Sequence, residues 1–264
     1  MQKNISTVFL HAKVVTLAAN TMRLLSIDIG IRNLAHCLFS RPELQIEDWD
    51  VVDLTGSSAC TCPGKKGPCG KRATAKRGSH FFCKKHVPKV PTAFASKNKQ
   101  ALEEMCAAFG LEKGERPAML ASLTAYKAAH LTQTLKTANE CSPVELAVAL
   151  TAEYDKRFPF LIEEVVVENQ IGPLANRMKA LQGMVVQYWV MKGAKVSVVS
   201  SGNKLKHLGT AETTYAERKK MSVQSTRDLM QAKGIAGIER LNAHKKKDDL
   251  ADTFLQGMWF WNLI

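Results

Sequence analysis

Leu24-Leu25-Ser26-Ile27-Asp28-Ile29-Gly30 is an apolar run interrupted by one carboxylate and closed by a glycine. A run this short reads as a buried strand, because a globular helix usually needs about ten residues or more. Burying a carboxylate in such a strand is costly unless the charge is paired or coordinates a metal. Asp28 is therefore either a strand-end acid bonded to the following turn or one member of a functional set. Two acidic sites far downstream bear on that choice.

Immediately after this strand, Ile31-Arg32-Asn33 predicts a turn and Leu34 to Phe39 a second strand. Gln45 to Leu54 reads as a third, which makes a three-stranded meander with short polar connections. His36 and Cys37 have no neighbours of ligand type and read as core residues. On the N-terminal side, residues 1–22 hold no acid and carry Lys3, His11 and Lys13. They read as a short extension, with a weak organelle-targeting peptide as the alternative and Met22 as a second potential start.

The second acidic site is Phe160 to Gln170, where Val165-Val166-Val167 is a buried-strand run ending on Glu168. A helix is expected over about residues 174–192, a strand over 195–200 and a helix over about 217–233. The loop between the last two carries Lys204, Lys206 and His207, and it leads into Arg218, Lys219 and Lys220. The third site lies on a C-terminal helix expected from His244. There Ala251, Phe254, Leu255 and Met258 make a core-facing stripe at helical spacing, flanked by Asp249 and Asp252 three residues apart. Two like charges held so close repel. A solvated acidic first turn favoured by the helix dipole, or a shared divalent cation, are the two readings.

Charge and cysteines mark a different region. The chain of 264 residues has a net charge of +13, with ordinary hydrophobic (45%) and charged (23%) content. Between Asp53 and Glu103 there are eleven Lys or Arg and no acid, while the other 26 basic and 24 acidic residues nearly balance. That is the footprint of a polyanion partner, most often nucleic acid. No run approaches the roughly 18 apolar residues of a membrane span, so no membrane partner is expected. Four of the seven cysteines fall between residues 60 and 83, beside His80 and His86. This suggests metal rather than disulfides, in an intracellular reducing compartment.

Within that stretch Cys83-x-x-His86 and an earlier cysteine half fit one four-coordinate structural Zn²⁺. Cys69, Cys83 and His86 are the firm picks. Cys60 and Cys62 compete for the fourth place, with His80 outside. So small a segment has too little apolar content to fold alone, and a metal clip would supply the missing stability. Lys71, Arg72, Lys76 and Arg77 would then form a fixed phosphate-contacting surface. The predicted organisation is an extension over 1–22, a catalytic α/β domain from 23–55 and 92–264, and a basic zinc-binding insert over 56–91. Helices are expected at about 94–109, 117–138 and 143–157, the last with Ser142 as N-cap and Pro143 at its first position. Cys106 and Cys141 read as plain helix or turn residues.

Asp28, Glu168, Asp249 and Asp252 together offer hard oxygens in a number that suits Mg²⁺ or Mn²⁺ rather than zinc. Four carboxylates can hold two ions about 3.5–4 Å apart, the arrangement that activates water and stabilises the leaving oxygen in phosphodiester cleavage.

With these residues in view, the chain resembles the RuvC-like Holliday junction resolvases of the poxvirus and large-DNA-virus type, in the RNase H-like superfamily. The resemblance is carried by Ser26-Ile27-Asp28-Ile29-Gly30-Ile31-Arg32-Asn33-Leu34-Ala35, by Val167-Glu168-Asn169-Gln170 and by Lys246-Lys247-Asp248-Asp249-Leu250-Ala251-Asp252. It implies an α/β fold with a mixed five-stranded sheet flanked by helices, the zinc insert following the third strand. It also implies an endonuclease with two Mg²⁺ (or Mn²⁺) per active site, acting as a homodimer on four-way DNA junctions by paired symmetric nicks, in recombination or in resolving replicated genomes. A viral version would work at replication sites in cytoplasm or nucleus. Carried over by position, the metal ligands and catalytic residues are Asp28, Glu168, Asp249 and Asp252. Asp248 stays outside the set, because Asp249 with Asp252 preserves the three-residue step. Lys204, Lys206, Arg218, Lys219, Lys220, Lys246 and Lys247 join the four insert residues as DNA-contacting cations. Ile171 stands where bacterial relatives place an aromatic wedge.

Two other classes compete. A non-catalytic, zinc-dependent nucleic-acid-binding protein on a degenerate nuclease fold would lack acids, and all four are present. An actin-like ATPase or sugar kinase opens with a similar DIGxxN turn. It would need a second glycine-rich phosphate loop, which the sequence does not contain.

Overall fold

A computed structural model describes residues 21–56, 58–65, 67–172, 176–203 and 214–264. The predicted extension over 1–22 therefore lies almost wholly outside the described residues. The chain divides into two compact units, residues 1–52 with 151–264, and residues 53–150. The elements of the chain begin with β1 (Met22–Asp28), β2 (Leu34–Arg41) and β3 (Gln45–Val52). Next come β4 (Pro63–Gly64), β5 (Gly67–Pro68), β6 (Ala75–Arg77), β7 (His80–Phe82), α1 (Lys99–Ala108), α2 (Arg116–His130), β8 (Gln133–Thr134) and α3 (Pro143–Arg157). The chain ends with β9 (Glu164–Glu168), α4 (Asn176–Met191), β10 (Lys195–Val199), α5 (Tyr215–Lys233), α6 (Ile238–Ala243) and α7 (Lys247–Phe260).

The first unit is built on a five-stranded sheet in the order β10-β9-β1-β2-β3. The β1–β2–β3 meander is antiparallel, and β1, β9 and β10 run parallel. The central strand is the quoted apolar run, with Leu24, Leu25 and Ile27 fully buried. Side chains alternate across a strand, so β1 feeds two cores. Leu24, with Phe39, Trp49 and Val166, packs against Leu250, Phe254 and Met258 of α7. On the opposite face, His36 of β2 meets the Phe158 ring edge-on at 5.3 Å, in an aromatic group with Tyr154 and Trp189.

His36 is thus a core residue, held by a charge network. Its Nε2 lies 3.0 Å from Asp48 Oδ2, and Arg157 Nη1 donates to Asp48 at 3.0 Å and to Asp50 at 3.1 Å. Partial burial pushes the Asp48 carboxyl up, but hydrogen bonds and charge from His36 and Arg157 outweigh it and hold it well below the usual carboxylate range. A carboxylate with a depressed folded pKa stabilises the fold above its unfolded value of about 3.9, and this is lost as pH falls through the lower folded value. Asp48→Asn is therefore expected to cost about 1–3 kcal/mol at pH 7. In urea titrations the gap to wild type should shrink below about pH 4. An undiminished gap at pH 3 would assign the loss to packing instead of charge.

The second unit holds two short hairpins, β4–β5 and β6–β7, with β8 paired to β6. It also has a small core of Leu102, Cys106, Met119 and Leu123 between α1 and α2. Ser142 caps α3 as expected. Its Oγ accepts the Glu145 amide at 3.2 Å while the Glu145 carboxylate accepts the Ser142 amide at 2.8 Å, a reciprocal capping box.

Three expectations change. The helix expected over 117–138 ends at His130, because Gln133-Thr134 leaves it to become β8 beside β6. The short α6 was not foreseen. The compact second unit takes in residues 92–150, expected in the catalytic domain, since α1 and α2 pack on each other to form that unit's own core.

Candidate active site and metal centre

Parallel pairing of β1 with β9 sets Ile27 opposite Val167. One residue further on, Asp28 and Glu168 end their strands side by side, both half-buried. The chain leaves Asp28 through a tight turn. A Cβ on Gly30 would lie 2.5 Å from the Asn33 carbonyl oxygen, so a side chain there would open the turn.

Helix α7 brings the other acids to this end of the sheet, and its contacts give its direction. Trp261, just past the helix, donates Nε1 to Glu164 at 3.0 Å and accepts from Arg41 at 3.2 Å, level with the start of β1 and β9. Higher up, Gly257 abuts the Phe39 ring, where a Cβ would clash. Gln256 then reaches Ser26, Ile27 and Val166. The helix thus runs antiparallel to β1. From Gln256 back to Asp252 is about 6 Å of helix, and from Ser26 on to Asp28 about 6.6 Å of strand. Asp252 is brought to the level of Asp28 and Glu168, with Asp249 one turn beyond.

Asp249 is in an unusual position. Its Oδ2 is buried without a hydrogen-bond partner. Lys246 Nζ, at 3.7 Å, is near enough for charge attraction but too far for a hydrogen bond. Burial pushes the Asp249 carboxyl up and Asp248 adds to this, against the pull of Lys246 and Lys219. A cation beside Asp249 would offset that cost. Asp248 is occupied differently. It forms an ion pair with Lys219 of α5, which holds its carboxyl down against partial burial.

The donor set of carboxylate oxygens and the orphaned Asp249 oxygen both fit a hard divalent cation. Among the described residues, however, the group whose ligand atoms all lie within 4.8 Å of one another is Cys60, Cys69, Cys83 and His86. The four carboxylates are not drawn together as tightly.

The Cys–His group has the size of a tetrahedral zinc site, whose ligand atoms should stand about 3.5–3.8 Å apart for Zn–S of about 2.3 Å and Zn–N of about 2.0 Å. Cys60 Sγ lies 3.3 Å and Cys83 Sγ 3.7 Å from His86 Nδ1, and Cys69 Sγ is 4.0 Å from Cys83 Sγ. Burial pushes the Cys60 thiol up, but hydrogen bonds from the Cys83 backbone and His86 outweigh it and bring it to about 6. That makes the thiolate, the zinc-binding form, accessible near neutral pH. Cys60, not Cys62, takes the fourth place. Cys62 gives its carbonyl to the Cys69 amide at 2.7 Å, and its thiol borders the four through a hydrogen bond with Cys60. His80 stands exposed on β7.

Of the expected DNA-contacting residues, Lys71 and Arg72 are exposed and Lys76 and Arg77 half-buried. Lys71 lines a cleft of 810 Å³ beside the Cys–His group together with Lys65 and Lys85. Lys76 and Arg77 line a second cleft of 500 Å³ with Leu131 and Gln133. Lys204 and Lys206 lie outside the described residues. Arg218, Lys219 and Lys220 lie in the N-terminal turns of α5, Lys219 engaged by Asp248. Lys246 and Lys247 sit at the start of α7. Sequence reasoning missed the Lys219–Asp248 pair, which no local spacing signals. It also missed Gln256, whose one signal was an amide four residues after Asp252 on a buried flank.

The strand order, with β2 alone antiparallel to its neighbours, makes a mixed five-stranded α/β unit with one acid at the end of each of the neighbouring parallel strands β1 and β9. Residues 156–262, which hold Glu168, Asp249 and Asp252, match the sequence profile of the family described as Poxvirus A22 protein. Two of the three motifs that carry the resemblance, at Val167–Gln170 and at Lys246–Asp252, fall within that segment. The chain is 23% identical to an uncharacterized protein of Acanthamoeba polyphaga mimivirus, over 92% of this chain and 75% of that one. Among solved structures it is similar to the fowlpox virus Holliday junction resolvase, at 12% identity over 92% of this chain and all of that chain, with a TM-score of 0.41. The Thermus thermophilus RuvC complex with a Holliday junction gives 12% identity over 92% of this chain and 96% of that chain, with a TM-score of 0.40. No helix among the described residues is long and apolar enough to cross a membrane.

Proposed function

We propose that this protein is a divalent-metal-dependent endonuclease that cuts branched DNA at four-way junctions. The observation that carries the reading is the convergence of Asp28 and Glu168, on neighbouring parallel strands, with Asp252 on antiparallel α7 at the same end of the sheet. The profile match over residues 156–262 supports the resolvase class.

Asp28, Glu168, Asp252 and Asp249 would hold Mg²⁺ or Mn²⁺, two ions for four carboxylates. Such ions activate water and stabilise the leaving oxygen of a phosphodiester. The rigid strand ends orient Asp28 and Glu168. The Lys219 pair supports leaving Asp248 outside the set, and the unpartnered Asp249 Oδ2 supports Asp249 as the first acid of α7 to meet a metal. Lys246 lies beside Asp249 and would contribute positive charge for a phosphate. Cys60, Cys69, Cys83 and His86 would hold one structural zinc and fix the basic surface of Lys71, Arg72, Lys76 and Arg77 for phosphate contact. A homodimer would set two such sites at a fixed distance for paired nicks.

The deciding experiment is a nicking assay on a synthetic four-way junction, with linear duplex of the same sequence as control. Mg²⁺-dependent nicks in symmetric strands of the junction are expected, with little cutting of duplex. Tight junction binding without nicks in Mg²⁺ or Mn²⁺ would instead favour a non-catalytic binding protein on this fold.

A further inference from the structure

Two polar side chains of α7 are buried against the sheet: Thr253, whose Oγ1 lies 3.3 Å from Trp49 Nε1 of β3, and Gln256, which reaches the central strands. Gln256 is 2% exposed, and its Nε2 lies 3.1 Å from Ser26 Oγ, 3.1 Å from the Ile27 carbonyl and 3.3 Å from the Val166 carbonyl. One amide thus ties α7 to both β1 and β9, one or two residues before their terminal acids. Ser26, its partner, is the fully buried polar residue of an otherwise apolar strand interior. Apolar contact is non-directional, so a helix stripe of Leu, Phe and Met defines the height of a helix on a sheet less sharply than a hydrogen bond does. A hydrogen bond loses its strength within a few tenths of an ångström and must be satisfied once buried. Gly257 allows the approach, since a Cβ there would strike the Phe39 ring.

We infer that Gln256 is a positioning residue. It fixes the height of α7 on β1 and β9, and so places Asp252 and Asp249 against Asp28 and Glu168. The inference rests on the metal-dependent reading above. Because Gln256 lies one helical turn from Asp252, a slip of α7 would carry straight to the carboxylates. A merely structural Gln256 would change stability alone.

The test uses zinc-loaded, full-length protein and Gln256→Met, which keeps side-chain length and removes the donor. Mn²⁺ binding without DNA is measured by the loss of the free-ion electron paramagnetic resonance signal, and junction nicking is followed against Mn²⁺ concentration. Gln256→Met should weaken Mn²⁺ binding by about tenfold, the usual cost of losing a residue that orients metal ligands. Excess Mn²⁺ should restore most of its nicking rate, whereas Asp252→Asn should stay inactive at any Mn²⁺ concentration. If Gln256→Met does not fold, Ser26→Ala removes one acceptor only and should weaken Mn²⁺ binding in the same direction, by about two- to fivefold. Wild-type Mn²⁺ affinity in the folded variant would overturn the inference and leave the nuclease reading intact. A wild-type protein that neither binds Mn²⁺ nor nicks would overturn both.

Discussion

Glu168→Gln is expected to lower junction nicking by about 10³-fold or more while leaving junction binding in Ca²⁺ within about threefold. The two effects separate because they draw on different groups. Cleavage needs the carboxylate at the end of β9 to hold a metal beside Asp28, and an amide oxygen is too weak a ligand for that task. Affinity for DNA comes mostly from lysine and arginine contacts to phosphates, which the substitution does not touch. Asp28→Asn and Asp252→Asn should behave alike, and a double variant should be little worse than either single one, since the ligands act as a unit. Asp248→Asn should differ. Its carboxylate is already committed to Lys219, so nicking should stay within about tenfold of wild type. Rates on a labelled four-way junction check the series. Full activity of the Glu168→Gln protein would sink the assignment of the four acids.

Loss of zinc should have the larger structural effect. The strands between Cys60 and Cys83 are two or three residues long, and hairpins of that size are marginal in water without further support. Structural zinc contributes about 10–16 kcal/mol in small zinc-bound peptides, which is enough to decide whether such a segment folds. Cys83→Ser should therefore release about one zinc per chain and expose residues 60–86 to protease. The five-stranded sheet and α7, with their own buried core, should keep their thermal transition. Cys62→Ser should lose less zinc than Cys83→Ser, because the Cys62 thiol borders the group of four through Cys60 and is not one of its members. Metal analysis of protein prepared without chelator, followed by limited proteolysis, reads both outcomes. Absence of zinc in that preparation would remove the site.

These two outcomes bear on different layers of what the chain specifies. The central strand was legible at once, because an apolar run too short for a helix and closed by Gly30 has few other fates. The meander, the capped start of α3 and the core stripe of α7 were legible for the same reason: turn chemistry, capping and periodicity act between residues a few positions apart. So were the candidate acids, since a carboxylate on a buried strand stands out against its neighbours. Pairings between distant residues were not legible. Cys60 and not Cys62 joins Cys69, Cys83 and His86 within 4.8 Å because the tertiary fold sets its thiol 3.3 Å from His86 Nδ1, 26 residues away. Asp248 is drawn to Lys219, 29 residues away, only once α5 lies beside α7. Gln256 finds Ser26 across 230 residues and Val166 across 90 because the sheet order brings β9 next to β1. Local pattern determined the buried faces of the main strands and of the last helix. Which buried polar groups meet depends on strand order and helix direction, and those are properties of the whole sheet.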